Sequence, residues 1–157
     1  MSRIMGGFCL AILTLVLGCS SNALSPEDEI RQFIETGVQA AEDRNSSDLA
    51  ELIASGYQDE KGYDKKQLEK ISRLYFFRHK NIYLLTKIDE IDFVSANEAR
   101  VTLHVAMAGS AISDTSLLSS LRARIYKFEL QLIKDEEWLL HEADWQPASV
   151  GDMQSID

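Results

Sequence analysis

The sequence predicts an α+β domain, with N-terminal helices packed on a curled four-stranded antiparallel sheet. Three observations lead there. Apolar residues recur at helical spacing from Ile30 to Tyr75, the spacing changes to strand-like alternation after Lys80, and turn residues at 95–98 and 135–136 fold the alternating stretches back on each other. With 157 residues, 45% of them hydrophobic, the chain can bury one core and is short for two.

The first helix opens at Ser25-Pro26-Glu27-Asp28, with Ser as N-cap, Pro at the first helical position and acids at the positive end of the dipole. Ile30, Phe33, Ile34, Val38 and Ala41 form its apolar stripe. A shorter helix is expected from Ser46 or Ser47, burying Leu49, Leu52 and Ile53 and ending before Gly56 as a left-handed C-cap. Asp64 and Gln67 then form a capping box that opens a third helix to about His79. Its Tyr75-Phe76-Phe77 triplet spans too wide an arc for one stripe, so this end is expected to be covered on several sides. Strands follow at 82–93, at 100–107, at 124–133 and from Trp138 to Trp145, with a serine-rich connection at 109–120 that is either mobile or carries a short helical turn at Leu117, Leu118 and Leu121. Phe33, Phe128 and Trp138 are expected to be largely buried. Residues 148–157 are expected to be a flexible tail.

Met1 to Leu17 combine one positive residue, Arg3, with an apolar run, as in an export signal. The run stops short of the ~20 residues that a spanning helix needs. Leu15-Val16-Leu17-Gly18-Cys19 resembles the bacterial lipobox: Val16, Gly18 and Cys19 match, while Leu17 is bulkier than usual. The resemblance implies a signal peptide at 1–18, acylation (palmitate among the chains) at Cys19 and a lipidated tether at 19–24, with the domain at 25–147. It also implies a membrane anchor through N-terminal acyl chains. Because Ser20 is not an aspartate, the implied location is the cell envelope, at the inner leaflet of the outer membrane and facing the periplasm. Cys9 and Cys19 both precede the domain, so neither can staple it.

The charge is −9 overall, and −10 once Arg3 is removed with the export segment. No basic cluster exceeds the Lys65-Lys66 pair, which excludes a nucleic-acid partner of the ordinary basic-stripe kind. His141-Glu142 begins like a zincin motif, but Trp145 stands where the second His belongs, and no metal site is expected. Phosphate loop, dinucleotide fingerprint and nucleophile elbow are all missing from the sequence, so no cofactor is expected.

Helices followed by a long meander resemble the cone-shaped fold of the nuclear transport factor 2-like (SnoaL-like) superfamily. The resemblance rests on the amphipathic first helix, the run Leu-Ile-Ala-Ser-Gly-Tyr-Gln-Asp at 52–59, the Gly62 turn into the third helix, and Glu-Trp-Leu-Leu at 137–140 with Trp145. A cystatin-like roll is the alternative. The resemblance implies a pocket between sheet and helices, with Tyr57, Tyr63, Tyr75, Tyr83, Tyr126 and Trp145 as lining candidates. It implies either a non-catalytic binding or assembly module or a small-molecule isomerase, cyclase or hydrolase, since fold does not decide function. For the enzyme, the residues matching the family's Asp–His pair by position are Asp59 with His79 or His104. Each also has a structural explanation: Asp59 caps a turn, His79 caps helix-end carbonyls, and His104 lies on the polar face of its strand with Arg100 and Thr102. The expected partners are a small apolar ligand or an envelope protein, with a homodimer through the sheet as a further expectation.

Overall fold

The computed structural model describes residues 24–154. The export segment and Cys19, with the tether up to residue 23, lie outside the described residues. Three helices come first, α1 (Pro26–Glu42), α2 (Ser46–Glu51) and α3 (Lys65–Arg78). Strands β1 (Tyr83–Ser95), β2 (Glu98–Ala108), β3 (Arg124–Lys134) and β4 (Trp138–Pro147) follow, and α4 (Val150–Gln154) ends the described chain. The sheet order is β1-β2-β3-β4 and every pairing is antiparallel, so the predicted fold class is the observed one.

The helix starts match their sequence signals. Ser25 accepts from the Asp28 amide at 3.1 Å, with Pro26 at the first helical position. Asp64 accepts from the Gln67 amide at 2.8 Å and Gln67 returns the bond to the Asp64 amide at 2.8 Å. At α2 the cap is Asn45, one residue before the expected serines, and it accepts from the amides of Ser47 and Asp48. That helix ends at Leu52 in the right-handed region, so the expected left-handed cap at Gly56 is corrected. The positive-φ glycine among the described residues is Gly62, at 82°, inside the turn before α3.

Three register shifts curl the sheet. They lie between Ile88 and Glu90, between Phe93 and Ser95 and around His141, leaving Asp89, Val94 and His141 as the extra residues, and each bends its strand. Odd-numbered residues of β2 and even-numbered residues of β3 share the concave face, where Val101 pairs with Leu130 and Leu103 with Phe128. Ile30 and Ile34 of α1 pack there with Leu132, Trp138 and Ala143. Glu29 ties α1 to the β3–β4 corner, accepting from Lys134 and, at 3.0 Å, from the Trp138 indole. The end of α2 is stitched to β4 by Leu140 N–H to Leu52 O, 2.8 Å, and Ala54 N–H to Leu140 O, 2.9 Å.

The convex face carries a second, smaller cluster of Ala106, Leu118, Ile125 and Met153. Leu118 comes from a 3-10 turn at Thr115–Leu117 and its cap, within the serine-rich connection. Met153 comes from α4 and is 2% exposed. The expectation of a flexible tail from 148 is therefore corrected for 150–154, because a methionine side chain has apolar surface to bury there and Ser149 with Asp152 caps the turn.

The aromatic triplet also needs correction. Phe76 is buried and Tyr75 half-buried, but Phe77 is 86% exposed. Helix α3 leans chiefly on α2, with Phe76 as its one buried residue, so the sheet does not reach around to its outer side. Of the three aromatics expected in the core, Trp138 is buried, whereas Phe33 and Phe128 are only partly so.

Candidate functional site

Phe33 and Phe128 are incompletely buried because both border a cavity of about 420 Å³ between the helices and the concave face. Val38 of α1 and Leu52 beyond α2 form one wall, and Leu68, Ile71, Tyr75 and Phe76 of α3 form a second. The sheet supplies the floor with Leu84, Leu103, Val105, Met107, Ala143 and Trp145. Among the described residues, no Asp, Glu, His, Lys or Arg lines it. Two of the hydroxyls at its edge have partners of their own. The Tyr75 hydroxyl donates to Met107 Sδ at 3.7 Å, and the Ser72 hydroxyl to Glu69 O at 2.9 Å.

Tyr57, Tyr75 and Trp145, three of the six pocket-lining candidates, line this cavity. The other three do not. Tyr63 stacks on the side of Trp145, with ring centroids 6.5 Å apart. Tyr126 lies against Phe128 at 6.4 Å, and Tyr83 is exposed at the start of β1, opposite Ala108.

The acid–base candidates are separated from the cavity and from one another in their contacts. Asp59 is 6% exposed, behind Tyr57; its carboxylate accepts from the Tyr57 hydroxyl at 3.0 Å and from the Tyr63 amide at 2.9 Å. Its backbone closes the same loop, the Gly62 amide donating to Asp59 O at 2.9 Å. Burial, reinforced by the hydrogen bond to Asp59 and its charge, raises the Tyr57 phenol above its ordinary pKa of 10.0. His79 Nδ1 lies 2.9 Å from Tyr75 O, and its ring stacks on Tyr75 with centroids 4.0 Å apart. His104 is on the convex face, Nδ1 2.7 Å from Asp89 Oδ2, with Lys87 on the other carboxylate oxygen at 3.3 Å. The Asp59 carboxylate thus serves a turn rather than a histidine.

That turn has a purpose visible in the geometry. It carries Lys61, whose ammonium donates to Asp144 at 2.8 Å and to Trp145 O at 3.0 Å, and sits 3.7 Å from the centroid of the Trp145 ring. Lys61 and Tyr63 hold Trp145 at the cavity wall, a role that the spacing of residues 57–63 gives no means of recognising. Leu103, Val105, Met107 and Val38 were legible as apolar but not as cavity residues, because periodicity tells which face a side chain is on and not what it meets. No group of His, Cys, Asp and Glu among the described residues is arranged to hold a metal ion.

No protein-family model matches the chain, and no curated protein matches it. Solved structures do. An NTF-2 like protein of unknown function from Shewanella oneidensis superposes with a TM-score of 0.56 at 14% identity, over 77% of this chain and 98% of its own. A domain of unknown function with a cystatin-like fold from Nostoc punctiforme gives 0.60 at 16%, over 83% and 86%. A ketosteroid isomerase-like protein from Erwinia carotovora atroseptica gives 0.57 at 12%, over 78% and 95%. Identities this low speak for the path of the backbone and not for the chemistry. The chain therefore has the NTF2-like α+β fold, three helices closing on a curled four-stranded sheet, with an apolar cavity where helices and sheet part.

Proposed function

We propose that this protein is a membrane-anchored envelope lipoprotein whose NTF2-like domain is a non-catalytic binding module for a small apolar ligand. The observation that carries the ligand class is the wall of the cavity: about 420 Å³, aliphatic and aromatic apart from the hydroxyl residues Ser72 and Thr86, without a charged residue among the described lining. Its size lies in the range of ~300–1,000 Å³ typical of small-molecule sites. An apolar cavity is filled favourably by an apolar guest, because the guest leaves water and the lining gains dispersion contacts. An acid–base enzyme needs a titratable group within hydrogen-bond reach of its substrate, and Asp59, His79 and His104 each face a protein partner instead. The anchor is supported by the lipobox resemblance at 15–19.

The test uses the full-length protein as its host processes it. A neutral apolar dye such as N-phenyl-1-naphthylamine should bind saturably at one site and be displaced by the natural ligand, which native mass spectrometry of the gently extracted protein should detect. Val105→Phe, which fills the cavity from its floor, should abolish dye binding while the fold persists. Undiminished dye binding in that variant would place the ligand elsewhere. Intact mass decides the anchor: wild type should carry acyl chains that Cys19→Ala lacks.

A further inference from the structure

Helix α3 has an outer face that the ligand-binding reading does not use. Six of the 16 basic residues in the chain and one of its 25 acidic ones fall within 65–80, so this stretch carries +5 against −14 for the remainder. Lys66, Lys70, Arg73, Arg78 and Lys80 are all exposed. The acid, Glu69, is paired with Arg73. On a helix, Lys66, Lys70, Arg73 and Phe77 fall on one line, and Ile71, Leu74 and Arg78 fall on the line beside it. Ile71, Leu74 and Phe77 are 45%, 48% and 86% exposed, so three large apolar side chains stand in water among the cations. A solvated face would need the charges but not the apolar residues. A face for a protein core would want the reverse.

We propose that the outer face of α3 docks on an anionic lipid surface. Charge complementarity selects this occupant: a basic patch on an otherwise acidic molecule is drawn to anionic headgroups, while neutral or like-charged surfaces offer nothing to the cations. Phe77 and Leu74 then enter the boundary between headgroups and acyl chains, with lysines and arginines reaching back to phosphate. The patch is continuous with the cavity, because Ile71 both lines it and is half-exposed on the outer face. Docking therefore brings the part of the cavity wall formed by Ile71 against the bilayer. This goes beyond the ligand-binding reading and does not depend on acylation at Cys19.

The full-length protein is mixed with, or reconstituted into, vesicles of phosphatidylcholine alone or of phosphatidylcholine and phosphatidylglycerol in equal parts, and exposed to hydroxyl radicals. Oxidation of Phe77 and Leu74 should fall severalfold on the anionic vesicles only, and return at high salt, where charge is screened. K66E/K70E should keep Phe77 oxidised on anionic vesicles, weakening docking on the order of tenfold or more, with an unchanged melting temperature because both lysines are exposed. Oxidation that is equal on both vesicle types overturns the proposal. Protection that appears without vesicles and grows with protein concentration also overturns it, in favour of a second copy of the chain. Apolar dye bound beyond what the vesicles alone and the Val105→Phe protein take up separates the two readings: such binding with Phe77 fully oxidised removes the docking surface and leaves the cavity module standing, whereas Phe77 protection without it does the opposite.

Discussion

Along β2 the same alternation of apolar residues has two outcomes. At its first half Ala99 and Val101 meet Ile30, Ile34, Leu132 and Trp138 and are fully covered. At its second half Val105 and Met107 are half-buried and face open space under α3. One end is closed by α1, the Glu29–Lys134–Trp138 clasp and the α2–β4 stitch, and the other is bridged by a helix that rests mainly on α2. Two ends built from the same residue types differ because one has helices close enough to fill it. Apolar pattern alone makes a core only where a second surface arrives at packing distance.

The largest effect should come from breaking the closed end. Trp138→Ala or Ile30→Ala removes a buried side chain whose neighbours are held on every side, and either should lower stability by about 3–5 kcal/mol, measured by urea unfolding. A cost of similar size from Met107→Ala at the open end would erase the distinction, since a half-buried residue beside a cavity loses fewer contacts.

Tyr57→Phe comes next, because it leaves an oxygen of the buried Asp59 without its donor and should cost about 1–3 kcal/mol. It also has a signature in pH. The phenol is raised in the folded state above its ordinary 10.0, so its contribution is complete below that pH and is lost as pH rises through the folded value. Wild type should therefore weaken above pH 10 more steeply than the Phe variant, in melts followed by circular dichroism. Parallel curves would mean that Tyr57 is not protected from ionisation.

Val105→Phe should act in the other direction at the open end, raising stability by about 0.5–2 kcal/mol by filling the void. A large loss there would show that the floor is packed against something already.

A smaller, titratable difference belongs to the Glu29 clasp. Hydrogen bonds from Lys134 and Trp138 hold its carboxyl below the ordinary 4.5, so its stabilisation is present above that pH and is lost as pH falls through the lowered value. Glu29→Gln should lower stability slightly in the neutral region and flatten the acid limb of the stability curve, so that variant and wild type converge at low pH. The smallest effect belongs to Phe77→Ser, expected within about 0.5 kcal/mol because that ring touches little.

The fold was largely legible because local signals agreed with one another. Ser25-Pro26 and Asp64 with Gln67 begin helices where they should, and the turn residues at 95–98 separate β1 from β2. The site was legible only in part. Tyr57, Tyr75 and Trp145 were named as pocket walls, but Tyr63, Tyr83 and Tyr126 were equally aromatic and equally placed in the sequence. What divides them is tertiary: Tyr83 belongs to the convex face by register, and Tyr63 is held behind Trp145 by the loop that Asp59 closes. The exposure of Phe77 was illegible for a related reason. An aromatic triplet in a helix spans a wide arc whatever surrounds it, and the sequence does not say on how many sides neighbours will arrive.

The stitch between residues 52–54 and Leu140 sets a timetable for the chain. Helices α1 and α2 emerge first from the ribosome, yet the surfaces they cover belong to strands made last, Trp138 and Leu140 among them. Until β4 exists, the apolar stripe of Ile30, Ile34 and Ile53 has only β2 and β3 to meet and lacks the cover of Trp138 and Leu140, and contacts across so many intervening residues form slowly. A nascent chain stopped before residue 138 carries that stripe incompletely covered and is a client for holding chaperones. The β3–β4 hairpin, late in synthesis and distant in sequence, is thus the step that makes the earlier helices worth having.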